Sequence, residues 1–451
     1  MSIQANNVRK ILARNILADG FEPVLDLEKS HDSWIVDKRD GSKYLDMFSM
    51  YASGCIGYNH PKVLENKDLL AKVSLFKPTL SDIYTTEYAS FLDTFNEIAI
   101  PDYLKKTFFI EGGSLAVENA LKVAFDWKVR KNLSKGIKNK GYKVIHFKEA
   151  FHGRSGYTMS LTNTDPIKTK YFPKFDWPRI DNPYLNFPLT SSVLDDVKER
   201  EKLAVKQIEK AVKENQDDIA ALIIEPIQGE GGDNHFRCEF FQKLRELADE
   251  HDFLLIYDEV QTGIGITGKM WAHQNFTNGC GLNCDCSNEM KSIPDIISFG
   301  KKTQVCGILV GDRIDEIDDN VFKKSSRINS TFGGSLTDMV RFKIILETIR
   351  DFDLLENTKN NGLYLLNKLN ELEKEFPAFV INTRGLGLFC AFDLPSGTER
   401  DKLTAEAYKN KLLILGCGIR SIRFRPHLTV TKDEIDFTID VIRKSISNLL
   451  K

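Results

Sequence analysis

Long apolar runs are missing from this chain of 451 residues: none approaches the roughly 20 residues that a helix needs to cross a bilayer. A membrane-spanning protein is therefore not expected. The opening stretch, MSIQANNVRKILARNILADG, scatters charge among its apolar positions and does not read as a secretory signal. Net charge is also missing. Lys plus Arg number 62 against 64 Asp plus Glu, a formal charge of -2, so no overall field would recruit nucleic acid or anionic lipid. Cysteine is sparse: eight residues, mostly scattered, fit reduced thiols in the cytoplasm better than a disulfide framework. No internal repeat or low-complexity linker is seen. What remains, 42% hydrophobic and 28% charged residues, suits a large globular core and a small-molecule partner.

Short apolar runs rich in Ile, Val and Phe recur at YKVIHF (142–147), ALIIEPI (221–227), FLLIYDEV (253–260) and DIISFG (295–300). Helical patterns lie between several of them, such as VLDDVKEREKLAVKQIEKAVKEN (193–215) and CEFFQKLRELADEHD (238–252). Strands alternating with helices predict a mostly parallel sheet covered on both faces, with ligands at the carboxyl ends of the strands. From about Met339 a long helical stretch leads to short strand-like pieces, VINTRG, LFCAFDL and IRSIRFRP, and to a closing helix from Thr431. This predicts a smaller α+β domain over 339–451, a large domain over 51–338, and an N-terminal segment, 1–50, that joins the smaller domain. Within that segment WIVDKRDGSKYLDM reads as a hairpin turning at Asp40-Gly41.

Two motifs mislead. Gly263, Gly265 and Gly268 match G-x-G-x-x-G and, with Lys269, nearly match a phosphate loop. Position 270 is Met, where a phosphate loop needs Ser or Thr for magnesium, and no helix is expected to open directly after the strand, so a plain glycine-rich loop is favoured. Cys280, Cys284 and Cys286 crowd one stretch, but structural zinc takes four ligands, usually from C-x-x-C pairs. A polar surface insertion is favoured, and no metal is expected.

The informative constellation is spread along the chain. Asp258 closes one apolar run, and Lys301 follows Gly300 at the end of another. In a parallel sheet the two ends share an edge. A third run, FFIEGGSLAVENALKVAFDWK, reads as a strand, then Gly112-Gly113-Ser114, then a helix. A helix start with free amides, a hydroxyl and little side-chain bulk suits a phosphate. Phosphate cradle, lysine and aspartate together describe a site for pyridoxal 5′-phosphate: an amine for the aldehyde and a carboxylate for the protonated pyridine nitrogen.

With FLLIYDEVQTG, PDIISFGKK, GGSLAVENALK, AFHGRSGYTMSLT, IIEPIQGEGG, NSTFGGSLTDMVR and IRFRPHLTV in view, the chain from about residue 20 onward resembles the class III (omega) aminotransferases. Within them it looks most like the L-lysine 6-aminotransferases. The resemblance implies an α/β protein of the pyridoxal-phosphate transferase fold type I, like aspartate aminotransferase, working as a homodimer with shared active sites. It implies Lys301 as the Schiff-base lysine, Asp258 on the pyridine nitrogen, Gln261 on the ring hydroxyl, Gly113 and Ser114 on the phosphate, and Phe151 stacked on the ring. Ser330 and Thr331 would reach the phosphate from the other subunit.

For substrate, the resemblance implies Arg154 on the α-carboxylate of L-lysine, and Glu230 and Arg423 as a pair serving two substrates, with Asn329 helping orientation. Glu230 would mask Arg423 for the diamino acid and release it for 2-oxoglutarate. The expected reaction moves the ε-amine of L-lysine to 2-oxoglutarate by a ping-pong route. Ornithine or 4-aminobutyrate are the rival donors, and a binding protein on the same fold or a nucleotide enzyme are rivals of other classes. The stretch from about Asn278 to Ser292 departs from the family as an insertion, and His427 stands where a second proline is usual.

Overall fold

The computed structural model describes residues 3–75, 82–277 and 292–451, so Cys280, Cys284 and Cys286 lie outside the described residues. At Asp40-Gly41 the chain reverses, and β1 (Trp34–Val36) pairs antiparallel with β2 (Lys43–Asp46), Val36 opposite Lys43.

Seven strands form the main sheet: β3 (Lys106–Ile110), β4 (Lys143–Phe147), β5 (Arg179–Ile180), β6 (Ile219–Ile224), β7 (Leu254–Asp258), β8 (Ile296–Phe299) and β9 (Cys306–Val310). Their order is β3-β9-β8-β7-β6-β4-β5. From β5 to β8 every neighbour is parallel, whereas β9 runs antiparallel to both β8 and β3. The ends of β4, β6, β7 and β8 thus open at one edge.

Alternation explains why these strands read as unbroken apolar runs. Leu254 and Ile256 of β7 pack with α2 (Gly113–Ser134), through Val117, Leu121 and Ala124. Leu255 and Tyr257 face the other way, with α3 (Ser191–Glu214) and α4 (Cys238–Glu250), through Ile208, Phe241 and Leu244. A strand covered on both faces has no solvated side on which polar residues would fall. Where the sheet meets α1 (Thr86–Ile98) and α5 (Leu336–Asp351), five phenylalanines, Phe91, Phe95, Phe109, Phe299 and Phe342, interlock at tilted and edge-on angles.

Asp353, at φ 46°, breaks the long helical stretch into α5 and α6 (Leu354–Glu375). Beyond lie β10 (Ile381–Leu386), β11 (Phe389–Asp393), α7 (Gly397–Lys409), β12 (Leu412–Leu413), β13 (Leu415–Cys417), β14 (Ser421–Phe424) and α8 (Lys432–Leu449). A four-stranded sheet runs β10-β11-β14-β13, and β12 pairs parallel with β2, Leu412 opposite Leu45. Thr431 starts α8 with a capping box, its hydroxyl accepting from the Glu434 amide while the Glu434 carboxylate accepts from the Thr431 amide.

Phe95 is fully buried in the aromatic cluster and touches strands and helices of two layers. Phe95→Ala is expected to destabilise the fold by about 3–5 kcal/mol, seen as an earlier midpoint in urea unfolding. An unchanged midpoint would mean that the cluster does not anchor α1 and α5 to the sheet.

Candidate active site

Pleating sends the two adjacent carboxylates at the end of β7 in opposite directions. Asp258 enters a cavity of about 300 Å³ at the strand-end edge. Its Oδ2 lies 2.8 Å from His152 Nδ1, and its Oδ1 accepts from Ser298 Oγ and the Val260 amide, both at 3.1 Å. Glu259 turns away and accepts from the Ala272 amide at 3.1 Å, from the His273 amide and Nδ1 at 2.9 Å each, and from Thr262 Oγ1 at 2.5 Å. It thereby ties down the glycine-rich loop. Gly265 and Gly268, both at φ 83°, let that loop fold back against Leu428 and Lys359, and no helix opens from it. The loop is thus packed against the C-terminal part of the chain and fixed by Glu259.

Lys301 sits in the tight connection between β8 and β9, in the left-handed region at φ 56°. Its side chain lines the cavity with Asp258. Burial, joined by the positive charges of Arg423 and Arg425, pushes its amine down to about 8, against the pull of Glu230 and Asp258. Lys302 points the other way: its Nζ donates to the Gln261 carbonyl at 2.8 Å and lies 3.5 Å from that of Ala52. Of two neighbouring lysines, only Lys301 lines this cavity.

The same cavity is lined by Gly113, Ser114, Phe151, Arg154 and Gln261. Gly112, at φ 97°, turns the chain from β3 into α2, so that Gly113 and Ser114 stand at the helix N-terminus. Gly153, at φ 115°, lies so close to Ser114 that a β-carbon there would collide with the serine hydroxyl. Ser114 Oγ joins Ser155 Oγ at 2.6 Å and Thr158 Oγ1 at 2.8 Å. The Gln261 amide oxygen accepts from Arg425 Nε at 3.1 Å, and Arg425 also pairs with buried Asp233.

Glu230 and Arg423 meet outside this lining, Oε2 to Nη2 at 2.8 Å. Burial would raise the Glu230 carboxyl, but Arg423 and Lys168 outweigh it and hold it below its ordinary range. Asn329, Ser330 and Thr331 are not brought to the cavity within one chain; Asn329 and Thr331 are exposed and Ser330 is half-buried. His427 is buried against Gly54 and lies edge-on to Tyr58.

Sequence reasoning missed His152, Glu225 and Arg425. Glu225 accepts from the amides of Phe151 at 2.9 Å and Gly229 at 3.1 Å, and burial pushes its carboxyl up to about 7. His152 follows Phe151 directly, and Arg425 lies two residues beyond Arg423 on the same strand parity, a spacing that could have flagged it.

Pyridoxal phosphate, the group the resemblance implies, fits this set of residues. Helix-start amides with the Ser114 hydroxyl suit the phosphate, Asp258 suits a protonated ring nitrogen, and the Lys301 amine that lines the cavity suits an aldehyde. His152 Nδ1 faces Asp258 Oδ2 at 2.8 Å, and the buried His152 Nε2 has no hydrogen-bond partner among the described residues.

Glu259→Gln would remove the charge that draws in two amides, a hydroxyl and an imidazole. It is expected to lower stability by about 2–4 kcal/mol in urea unfolding. A wild-type midpoint would show that the loop is held by other means.

Comparison with known proteins gives the family. The model of the aminotransferase class-III family matches residues 17–446. The chain is 47% identical over 445 residues to the L-lysine-epsilon aminotransferase of Mycobacterium tuberculosis, covering 98% of this chain and 95% of that protein. It is 46% identical over 449 residues to the L-lysine-epsilon aminotransferase of Amycolatopsis lactamdurans, covering 98% of this chain and 96% of the relative. A solved structure described as lysine aminotransferase from M. tuberculosis in the internal aldimine form superposes with a TM-score of 0.93 at 47% identity, covering 99% of both chains. With a lysine and an aspartate facing one cavity and a match along nearly the whole chain, this protein belongs to the class III aminotransferase family.

Proposed function

We propose that this enzyme moves the ε-amino group of L-lysine to 2-oxoglutarate, giving 2-aminoadipate 6-semialdehyde and L-glutamate in two half-reactions. Class III aminotransferases work with pyridoxal 5′-phosphate, which when bound supplies an aldehyde for the amine and a pyridinium ring that draws electrons from the adjacent carbon. The observation that carries the reading is the Glu230–Arg423 pair beside Lys301. A buried arginine with a removable carboxylate partner suits a pocket that takes a cationic donor and then a dianionic acceptor. The names of the relatives supply the donor.

In this reading Lys301 Nζ takes the proton from the donor's terminal carbon and holds it for redelivery. With the cofactor bound, Asp258 would hold the proton of the ring nitrogen, Gln261 would bond the ring hydroxyl, and Phe151 would stack on the ring. Gly113 and Ser114 hold the phosphate. Arg154, exposed at the cavity edge, takes the α-carboxylate of L-lysine in a two-point contact. We further propose a homodimer in which Asn329, Ser330 and Thr331 of a second copy complete the site. The division into 1–50, 51–338 and 339–451, with α5 as the connecting helix, belongs to the same proposal. So does a cytoplasmic setting, in keeping with buried free thiols at Cys55, Cys306, Cys390 and Cys417.

Absorbance of the holoenzyme tests the donor and acceptor. The cofactor band is expected to move on adding L-lysine and to return with 2-oxoglutarate. A shift with ornithine or 4-aminobutyrate alone would keep the enzyme class and replace the donor. Lys301→Ala is expected to lose steady-state turnover by roughly a thousandfold. Retained turnover would remove Lys301 from the chemistry.

A pH profile follows from the depressed amine. A lowered pKa means that Lys301 is cationic below about 8 and a neutral nucleophile above it, well before an ordinary lysine at 10.5. In the apoenzyme, labelling of Lys301 by a small acylating reagent, followed by peptide mass spectrometry, should be half-maximal near pH 8. Half-maximal labelling near 10.5 would contradict the burial argument.

A further inference from the structure

Glu230 is held by two cations. One oxygen faces Arg423 Nη2 at 2.8 Å, and the other accepts from Lys168 Nζ at 2.7 Å. The two partners differ in setting: the Arg423 side chain is 4% exposed, whereas those of Glu230 and Lys168 are 26% and 22% exposed. Lys168 therefore lies on the open side of the carboxylate and Arg423 on the closed side. The Lys168 ammonium also stands 5.4 Å from the centre of the Phe151 ring and 3.3 Å from Thr164 Oγ1. It thus links the residue assigned to the cofactor face with the carboxylate assigned to the acceptor.

We propose that Lys168 is a positioning residue for the second half-reaction: it keeps Glu230 paired when an incoming dicarboxylate takes Arg423. The inference rests on the role given to Glu230 and Arg423 above. For a dianionic acceptor to reach Arg423, Glu230 must leave it. A partly buried carboxylate deprived of its only cation resists that move, whereas one already bonded to a second cation toward solvent swings over with its charge still compensated. Lys168 also competes with Arg423 for Glu230 while the pair is intact. Both effects lower the cost of opening. A donor whose terminal end is an amine needs Glu230 to stay on Arg423, so its half-reaction does not draw on Lys168 in this way.

The backbone around Lys168 is built without its side chain. The turn Pro166–Lys168 is capped by Asp165, whose Oδ1 accepts from the Ile167 amide at 3.0 Å. Lys168→Met keeps the stem and removes the charge, and Lys168→Arg restores a cation.

The experiment measures binding of glutarate, a five-carbon dicarboxylate with no keto group, to the pyridoxamine form of wild type, K168M and K168R by calorimetry. Rates of the lysine and 2-oxoglutarate half-reactions are followed by absorbance in parallel. K168M is expected to weaken glutarate by roughly tenfold and to raise the 2-oxoglutarate concentration for half-maximal rate similarly, while the lysine step changes by less than about twofold. K168R should recover most of the loss. Glutarate binding in K168M that is unchanged or tighter, a failure of K168R to restore it, or equal slowing of both half-reactions would overturn the proposal. Wild-type enzyme that ignores both glutarate and 2-oxoglutarate would instead overturn the acceptor assignment on which it rests.

Discussion

The buried carboxylate of Asp258 is the constraint around which the site is arranged. An ionised group at the end of a covered strand costs several kcal/mol unless charge and hydrogen bonds compensate it. Here the compensation is drawn from separate parts of the chain: His152 from the loop after β4, Ser298 from β8, and the Val260 amide from the turn after β7 itself. Each donor must arrive at the same strand-end edge, which only the parallel pairing of β7 with β6 and β8 allows. Once Ser298 is opposite Asp258, Lys301 follows three residues later at the start of the turn toward β9 and lines the cavity.

A second tier of charge joins the C-terminal part of the chain to the large sheet. Arg425 pairs with Asp233, stacks at 3.2 Å from the centre of the Phe389 ring, and donates to Gln261. Such a fully buried arginine is tolerated because its planar fork is filled on more than one side. It also lends positive potential to the pocket, as Arg423 does, and that potential together with burial favours the neutral amine at Lys301. The cations that hold the two parts of the chain together thus also prepare the nucleophile.

The strands were the most legible part of the sequence, because β4, β7 and β8 lie within, and β6 overlaps, apolar runs that burial on both faces demands. The direction of β9 was not legible: an apolar run carries no sign of whether its neighbour is parallel. Helix α7, GTERDKLTAEAYK, escaped because only Leu403 and Ala407 of it are buried, too few to mark a face. Family motifs, with the strand ends and the glycine-rich helix start, made Asp258, Lys301 and Ser114 readable, and the expected fold type I follows from family membership. His152 and Glu225 were not readable, and Arg425 was marked only by its spacing from Arg423. Each is a lone polar residue whose partner lies 106, 74 or 192 residues away, and only the folded sheet brings the pairs together.

Two adjacent lysines show how a local conformation decides chemistry. Lys301 and Lys302 are the same residue type side by side, one half-buried and the other buried, yet only Lys301 lines the site. Backbone at φ 56° is sparsely populated for a side chain with a β-carbon and costs on the order of 1–2 kcal/mol. Here it accompanies a connection of six residues between the antiparallel strands β8 and β9, and it turns consecutive side chains to opposite sides. Lys302 spends its hydrogen-bonding capacity on the backbone carbonyl of Gln261, so it fixes the segment that carries Gln261 into the cavity. Lys301 is left with no hydrogen-bond partner for Nζ among the described residues, in a pocket whose burial and cations disfavour its charge. An amine so placed is poorly satisfied as an ammonium and is therefore disposed to react as a neutral nucleophile, which is the property that a carbonyl cofactor exploits.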